Sequence, residues 1–544
     1  MGKQCVPVMV GVADFKNAST RIEDAIEPLD MMLRATKLAL KDTSLSSFEL
    51  QTLQNNIDTI SVVAPWSWNY HDLPGLVGKG VGVEIEEKKK KLSHHGGDSP
   101  AKLVDGAARS IARGEARVAL VVGGESLGSL ASFTATKKMP PWLPPDMLKP
   151  VISLTSPLKG PQTAGTIHKV GLPIHVYPLY ENVYRSSHHQ SLVQNHHESA
   201  ELYEKFAQIA SKNEYAWSYA RPTPTAEEIA NVGKKNRMIC FPYPLLMNAF
   251  NNVNLSAACV LTSTEYAREL GIREEKWVFP LGGAGTSDCP DFWLRPTYIS
   301  SPALSLSLSA ALNITNLKPD NIDIFDIYSC FPIVPKLACE SLGLDLLKEK
   351  RPITVLGGLT SFGGAGNNYA MHSITEIARQ LRSSKSSGSE KKALVLANGG
   401  VLTYQHVLIL SSFPPPTKKY PENPLPPTTY TPSNFLQIAD AQNLPLETFT
   451  ISAAVPELVV LSTTPVEGVV ETFTVAYARD GMPELGFVVG RVGEGRFVAN
   501  VVEKLDLKEL VGEKHTIGRK GWVWKEYAEE GSRSLFSFEQ RGKL

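Results

Sequence analysis

Apolar and polar positions follow two rhythms over the first 413 residues. Val6–Val12 and Ile57–Val63 are short stretches rich in β-branched residues, and each is expected to form a strand. Between them Leu29, Met32, Leu33, Thr36 and Leu40 recur at helical spacing, which predicts a helix over Pro28–Lys41 with Thr36 as the one polar member of its stripe. A helix over Ser99–Arg113 leads to a strand at Val118–Val122. Residues 137–176, rich in Pro, Gly, Ser and Thr, read as a long surface loop, and Tyr177–Asn213 reads as helical, ending near Ala216-Trp217. Strand Ala257–Leu261, helix Thr264–Leu270, strand Trp277–Leu281, helix Ala303–Leu312, strand Ile322–Tyr328 and helix Val334–Leu342 follow. Such alternation implies an α/β layered fold.

Within this pattern one unit occurs twice. The first copy is Gly96-Gly97-Asp98-Ser99-Pro100, a helix through Ile111, then Arg117–Leu120 and Val121-Val122-Gly123-Gly124. The second is Gly363-Gly364-Ala365-Gly366-Asn367-Asn368, a helix through Leu381, then Ala393-Leu394-Val395-Leu396 and Gly399-Gly400. Each reads as glycine turn, helix, buried strand and second glycine turn. The polar Ser383–Lys392 stretch, expected as a surface loop, lengthens the second copy. A duplicated unit of this kind implies a pseudo-twofold site.

Pro414–Pro427 holds seven prolines in fourteen residues and cannot sustain helix or sheet, so it reads as a linker. Beyond it Val455–Thr464, Val469–Ala478, Leu485–Arg491 and Phe497–Val502 predict short strands of a small, barrel-like β domain.

Composition narrows the function. Lys+Arg and Asp+Glu both number 55, so charge gives no case for a nucleic acid or an anionic membrane as partner. The oligonucleotide-binding style of barrel also lacks a basic and aromatic stripe here. No run approaches a membrane span. The six cysteines are scattered with no C-x-x-C pair, which favours free thiols and a reducing compartment. The cytoplasm is therefore expected. Gly542-Lys543-Leu544, a poor version of Ser-Lys-Leu, is the sole argument for the peroxisome, and Met1-Gly2 reads as an ordinary start because Val6 replaces the Ser/Thr of a myristoylation site. His188-His189 and His196-His197 cluster without metal-ligand spacing, so no metal is expected. Glu86–Lys91 reads as solvated surface, and Gly282-Gly283-Ala284-Gly285 as a structural turn, because no lysine precedes Thr286 as a phosphate loop requires.

Taken together, Gly96–Pro100, Gly114-Glu115-Ala116, Gly123-Gly124-Glu125-Ser126, Asn236–Ile239 and Phe241-Pro242-Tyr243 resemble the thiolase superfamily. So do Asp326–Pro332, Gly357-Gly358-Leu359, Gly363–Tyr369 and Asn398-Gly399-Gly400. The resemblance covers about residues 5–413 and is specific to thiolase-like proteins related to sterol-carrier-protein-type thiolases. The β appendage resembles the additional C-terminal domain of the type 1 thiolase-like proteins. The resemblance implies a duplicated five-layer αβαβα core. Residues 1–130 would form the first part of the N-terminal half, 131–250 a loop region that helps hold coenzyme A, and 251–413 the C-terminal half. Residues 414–432 would be the linker and 433–544 the β domain. The implied ligand is an acyl-CoA thioester rather than a tightly bound cofactor, in a homodimer or a monomer.

The resemblance also exposes what is missing. The family's cysteine nucleophile aligns with Gly97, the histidine of its Gly-His-Pro motif with Gly364, and its second cysteine with Ala397. Tyr328 and Cys330 follow the strand Ile322–Ile327, at the carboxyl end where open α/β sheets place ligands. Tyr328 stands in the slot of a histidine, as a tyrosine does in thiolase-like retro-aldolases, and a phenol can donate to a developing alkoxide or enolate. Those aldolases work with a β-barrel partner subunit, which the C-terminal domain here would replace in cis. Core packing at a strand end is the competing reading for Tyr328 and Cys330. Ser99 reads as a nucleophile without an assignable base, or, with Asp98, as a helix cap ahead of Pro100. His372 and His406 are candidates for approach to the site or for structural hydrogen bonding. Asn368 and Asn398 would donate to a thioester carbonyl or brace the turns, and backbone N–H groups at Gly97, Gly399 and Gly400 would supply an oxyanion hole. Trp66-Ser67-Trp68 reads as core, with an acyl pocket as the alternative.

Three functions stand at this point: a thiolase-like acyltransferase acting on or binding acyl-CoA without the Cys/His/Cys set, a tyrosine-dependent retro-aldolase, and a non-catalytic acyl-CoA scaffold. An interaction protein working through its β domain is a fourth.

Overall fold

The structure, a computed structural model, describes residues 5–144, 163–386, 388–417, 419–426, 457–512, 515–528 and 531–540. The two chain ends, part of the 414–432 linker, residues 433–456 of the expected β domain and part of the 137–176 stretch lie outside these residues. Strands β1 (Pro7–Lys16), β2 (Ile57–Val63), β3 (Lys90–Leu92) and β4 (Val118–Ser126) come from the first repeat and its flank. The insertion carries β5 (Met238–Cys240) and β6 (Tyr243–Pro244). Then come β7 (Asn254–Ser263), β8 (Phe279–Ser287), β9 (Ile324–Ile327), β10 (Lys392–Gly399) and β11 (Tyr404–Ser411). The C-terminal domain has β12 (Val466–Tyr477), β13 (Pro483–Val492), β14 (Gly495–Val501), β15 (Lys520–Ala528) and β16 (Gly531–Ser537).

Two sheets build the core, ordered β1-β7-β4-β2-β3 and β8-β11-β10-β9. Each repeat contributes one buried helix, Ser99–Ala112 and Tyr369–Ser386, and both helices touch strands of both sheets. Pro28–Asp42 covers the outer face of the first sheet and Pro302–Ile314 that of the second. Helix, sheet, paired helices, sheet and helix make five layers, as the resemblance implied. The helix Ser99–Ala112 has Pro100 in its first turn, which forfeits no intrahelical hydrogen bond, and Gly114 at φ +72° just beyond its end.

The C-terminal strands close on themselves: β12 pairs with β13, β13 with β14, β14 with β16, β16 with β15, and β15 with β12. The result is a five-stranded barrel around Phe473, Val475, Val488, Phe497, Val523 and Phe536. It docks on the insertion, whose short β5 and β6 extend the same sheet from β12. Arg496, fully buried, spans this junction. Its guanidinium binds Glu471 of the barrel at 2.6 Å and donates to the carbonyls of Trp293 (2.8 Å) and Arg295 (2.6 Å) in the core.

Several expectations need correction. Gly282-Gly283-Ala284-Gly285 is not a turn but the interior of β8. A Cβ on Gly283 would lie 2.6 Å from the Asp105 carboxyl carbon, and one on Gly285 2.4 Å from His406 Nδ1. These glycines make room for buried polar side chains on neighbouring elements. Gly123-Gly124 likewise lies within β4, where a Cβ on Gly123 would lie 2.0 Å from Asn368 Oδ1. The helical stretch expected over Tyr177–Asn213 is two helices, Pro173–Ser187 and Leu192–Ala210, because Ser191 and Gln194 form a capping box that starts the second. Residues 137–176 include the short helix Ala164–Ile167 as well as loop. Of the strand expected at Val455–Thr464, the described residues hold only an isolated bridge from Leu458 to Arg496. No described helix is long and apolar enough to cross a membrane.

Candidate active site

The two repeats meet at their glycines. A Cβ on Gly399 would lie 2.6 Å from the Gly97 nitrogen and 2.8 Å from Asp98 Oδ1, so the end of β10 touches the start of the Ser99–Ala112 helix at backbone distance. A cavity of about 530 Å³ opens beside this contact. That is the size of a small-molecule site, and it sits at the carboxyl ends of β9 and β10. Gly97, Tyr328, Cys330, Asn398, Gly399 and Gly400 all line it, as do Trp66, His95, Tyr177 and Asn367.

Tyr328 fills the space beside Gly97. A Cβ on Gly97 would lie 2.7 Å from Tyr328 Oη and 2.4 Å from the Asn398 carbonyl oxygen. The phenol therefore lies against the N-terminus of the Ser99–Ala112 helix, where backbone N–H groups and the helix dipole favour negative charge. Burial, with Cys330 and Asp98 nearby, pushes the phenol well above its ordinary range, so it is a neutral hydrogen-bond donor at physiological pH. No described protein group accepts from its hydroxyl. The Tyr328 ring packs edge-on against Tyr369, which fixes its plane.

Around it the polar groups are interlocked. Asn398 Nδ2 donates to Tyr177 Oη at 2.8 Å and reaches Cys330 Sγ at 3.9 Å, while Asn398 Oδ1 accepts from Gln405 at 2.7 Å. Tyr177 Oη also accepts the Leu402 N–H at 3.2 Å, which pins the loop after Gly400. Burial pushes the Cys330 thiol up to about 12, which leaves it protonated and a poor nucleophile at neutral pH. Among the described residues no cluster of three metal-ligating side chains occurs.

Several candidates stand elsewhere. Ser99 is buried beneath the helix start and donates to the His94 carbonyl at 3.1 Å. Asp98 occupies the cap position, but its carboxylate takes His94 Nε2 at 3.1 Å and not a helix N–H. Asn368 donates to the Gly123 carbonyl at 3.0 Å, bracing the repeat contact outside the cavity lining. His372 is fully buried, with Nδ1 at 2.5 Å from Asp14 Oδ1 in a cluster with Thr375 and Arg379. It too is absent from the cavity wall. His406 belongs to a separate buried group, with Asp105, Arg109 and Tyr420.

Two other contributors were not singled out from sequence, and a third, Trp66, was expected in the core with an acyl pocket as the alternative. Tyr177 arrives on the Pro173–Ser187 helix, far away in the chain and outside any motif. His95 directly precedes the first glycine pair and was overlooked beside it. Trp66 lines the cavity through a loop held by Glu125, which accepts the Trp66 and Ser67 N–H groups at 2.6 and 2.9 Å. Trp68 is core, as expected, and Ser67 is buried with it.

Residues 291–412 match the profile of the thiolase C-terminal domain-like family, and residues 445–527 that of the thiolase-like protein type 1 additional C-terminal domain. No curated protein matches the chain at a significant level. Among solved structures, the chain is similar to a monomeric SCP2-thiolase-like protein type 1 from Mycobacterium smegmatis. Identity is 27% over 98% of this chain and 100% of that one, with a TM-score of 0.76. The Ltp2-ChsH2(DUF35) aldolase shares the fold at 18% identity and TM-score 0.54, over 74% of this chain and 97% of that one. Human mitochondrial 3-ketoacyl-CoA thiolase in complex with CoA does so at 16% identity and TM-score 0.52, over 75% and 98%.

Proposed function

For a chain that shares the thiolase fold and resembles a type 1 thiolase-like protein over nearly its whole length, we propose a cysteine-independent enzyme acting on the carbon–carbon bond beside an acyl-CoA carbonyl. The observation that carries this reading is the Tyr328 hydroxyl at the Gly97 position. It puts a neutral donor where a thiolase keeps a thiolate, and leaves no space for the missing side chain. Covalent acyl transfer through a cysteine is thereby disfavoured, since Cys330 is protonated and Gly97 cannot carry one unaltered.

Retro-aldol cleavage needs no acyl-enzyme. The β-hydroxyl of a β-hydroxyacyl-CoA passes its proton to solvent water, the Cα–Cβ bond breaks, and its electron pair passes into the thioester enolate, which later takes a proton back from solvent. The β-carbon leaves as a carbonyl and the enolate is protonated at Cα. Tyr328 would donate to the oxygen on which charge develops, assisted by the helix N-terminus and the backbone of Gly97, Gly399 and Gly400. The aldolase fold relative and the CoA-bound thiolase support the reaction class and the ligand by analogy. The monomeric relative supports a monomer.

Calorimetric titration with coenzyme A and acetyl-CoA tests the ligand. Incubation with β-hydroxyacyl-CoA thioesters, read by mass spectrometry, tests the reaction. A shortened acyl-CoA plus a carbonyl product, lost in Tyr328→Phe, is expected. Binding without turnover over several chain lengths would leave a thioester-binding scaffold, and no binding would overturn the reading altogether.

A further inference from the structure

The cavity holds a second polar group whose protonation state the surrounding bonds dictate. Asn367 sits between Trp66 and His95. The indole nitrogen of Trp66 can only donate, and it lies 2.7 Å from one side-chain atom of Asn367, which must therefore be Oδ1. The amide nitrogen then faces the other way, where it donates to the Ala64 carbonyl at 2.8 Å and meets His95 Nδ1 at 3.2 Å. A carbonyl can only accept, so both ends of the amide agree on its orientation. Nδ2 is thus the donor to His95, and Nδ1 must be bare. A neutral imidazole with bare Nδ1 carries its proton on Nε2.

Nothing in the cavity wall works against this state. The lining residues include no Asp, Glu, Lys or Arg, and the titratable groups beside His95 there are Tyr177, Tyr328, Cys330 and Tyr404. Neighbouring His94 is engaged by Asp98. Partial burial, and secondarily His94, lowers the His95 imidazole below its ordinary value, which favours the neutral ring at physiological pH while one side of the residue stays open to solvent. Its Nε2 has no described protein partner.

We propose that His95 is a fixed, neutral hydrogen-bond donor to the ligand: through Nε2–H it binds the carbonyl oxygen of a thioester and the enolate oxygen formed from it. No proton is transferred in this role. A charged imidazolium would protonate the enolate oxygen, whereas a neutral donor holds the charge there while the α-carbon reacts. The inference rests on the proposed acyl-CoA reading for its ligand and on the Trp66–Asn367–His95 chain for its geometry.

Nitrogen-15 NMR of histidine-labelled protein tests it, with the His95 signals identified by their loss in His95→Gln. The expected spectrum has the Nε2–H tautomer at pH 7.5, titration below the ordinary histidine value, and an Nε2 resonance shifted on saturation with acetyl-CoA. By calorimetry His95→Ala should bind acetyl-CoA about tenfold more weakly, the scale of one lost hydrogen bond. His95→Gln, whose amide nitrogen reaches the Nε2 position, should retain most of the affinity. His95→Asn, whose amide reaches only the Nδ1 position, should not. An Nδ1–H tautomer, or an Nε2 signal unmoved when calorimetry shows acetyl-CoA bound, would overturn this inference alone. Failure of the wild type to bind acetyl-CoA would overturn the acyl-CoA reading, and the donor role with it, whichever tautomer the spectrum showed.

Discussion

Tyr328 and Gly97 compete for one volume: the phenol oxygen lies 2.7 Å from where a side chain on residue 97 would begin. The glycine is thus a requirement of the tyrosine and not merely a lost cysteine. Gly97→Cys should consequently fail to restore a thiolase. It should destabilise the fold by about 1–3 kcal/mol, the usual cost of overpacking, as measured by urea denaturation. Intact-mass analysis after acetyl-CoA treatment should show no acetylated protein. A stable Gly97→Cys variant that acetylates would contradict the geometry.

Tyr328→Phe separates chemistry from packing. Its hydroxyl has no described protein partner, so its removal forfeits no intramolecular hydrogen bond, each typically worth about 1 kcal/mol. Stability should change by less than that. Turnover of a β-hydroxyacyl-CoA should fall by about 10²- to 10³-fold, as when one donor to a developing oxyanion is deleted. Equal losses in stability and none in rate would assign Tyr328 to the core.

Arg496 tests whether barrel and core are one unit. Its guanidinium supplies both core carbonyls at the junction, and Arg295, one of the two residues so bound, donates onward to the Val401 carbonyl at 2.6 Å. Arg496→Met should cost about 3–5 kcal/mol, since it strands a buried network, and should split thermal unfolding into two steps. One unperturbed transition in calorimetry would refute this coupling.

Asp105 sets an acid limb. Burial alone would raise its carboxyl, but His406, Arg109 and Tyr420 outweigh that and hold it below the ordinary aspartate range. A depressed folded value means that its stabilisation is fully present above about pH 4, the unfolded value, and is lost as pH falls through the folded one. Asp105→Asn should therefore be less stable than wild type at pH 7, with the gap narrowing at pH 3.5. Chemical denaturation at the two pH values measures it, and a constant gap would exclude the assignment.

The fold was legible because strand and helix periods and the duplicated glycine pattern survive in the sequence. Of the candidate site, Gly97, Tyr328, Cys330, Asn398, Gly399 and Gly400, picked out in the sequence, converge on one cavity. What failed did so for definable reasons. Gly123, Gly283 and Gly285 were read as parts of turns, yet each lies against a side chain arriving from elsewhere, Asn368, Asp105 and His406 respectively, which no local pattern records. His372 and Asn368 lie on the repeat helix or at its start, as the motif suggested, but their polar atoms serve Asp14 and the Gly123 carbonyl. Tyr177 could not be found because its partner, Asn398, is 221 positions away. His95 could have been found, since a histidine next to a glycine pair at a helix start is visible in the sequence.

The closure of the C-terminal barrel has a consequence for how this protein meets others. An open sheet exposes a row of unpaired backbone groups, and that row invites a foreign strand, whether from a client peptide or from a misfolded neighbour. Here β12 pairs with both β13 and β15, so among the described residues each barrel strand has a neighbour on either side, and the narrowest seam is β14 against β16, held by the single pair Asn500 and Leu535. Closure of the described strands thus confines strand exchange to that one seam and narrows the same route to fibrous aggregation. Away from that seam, any companion it selects must be recognised by the shape and charge of side chains on its outer wall.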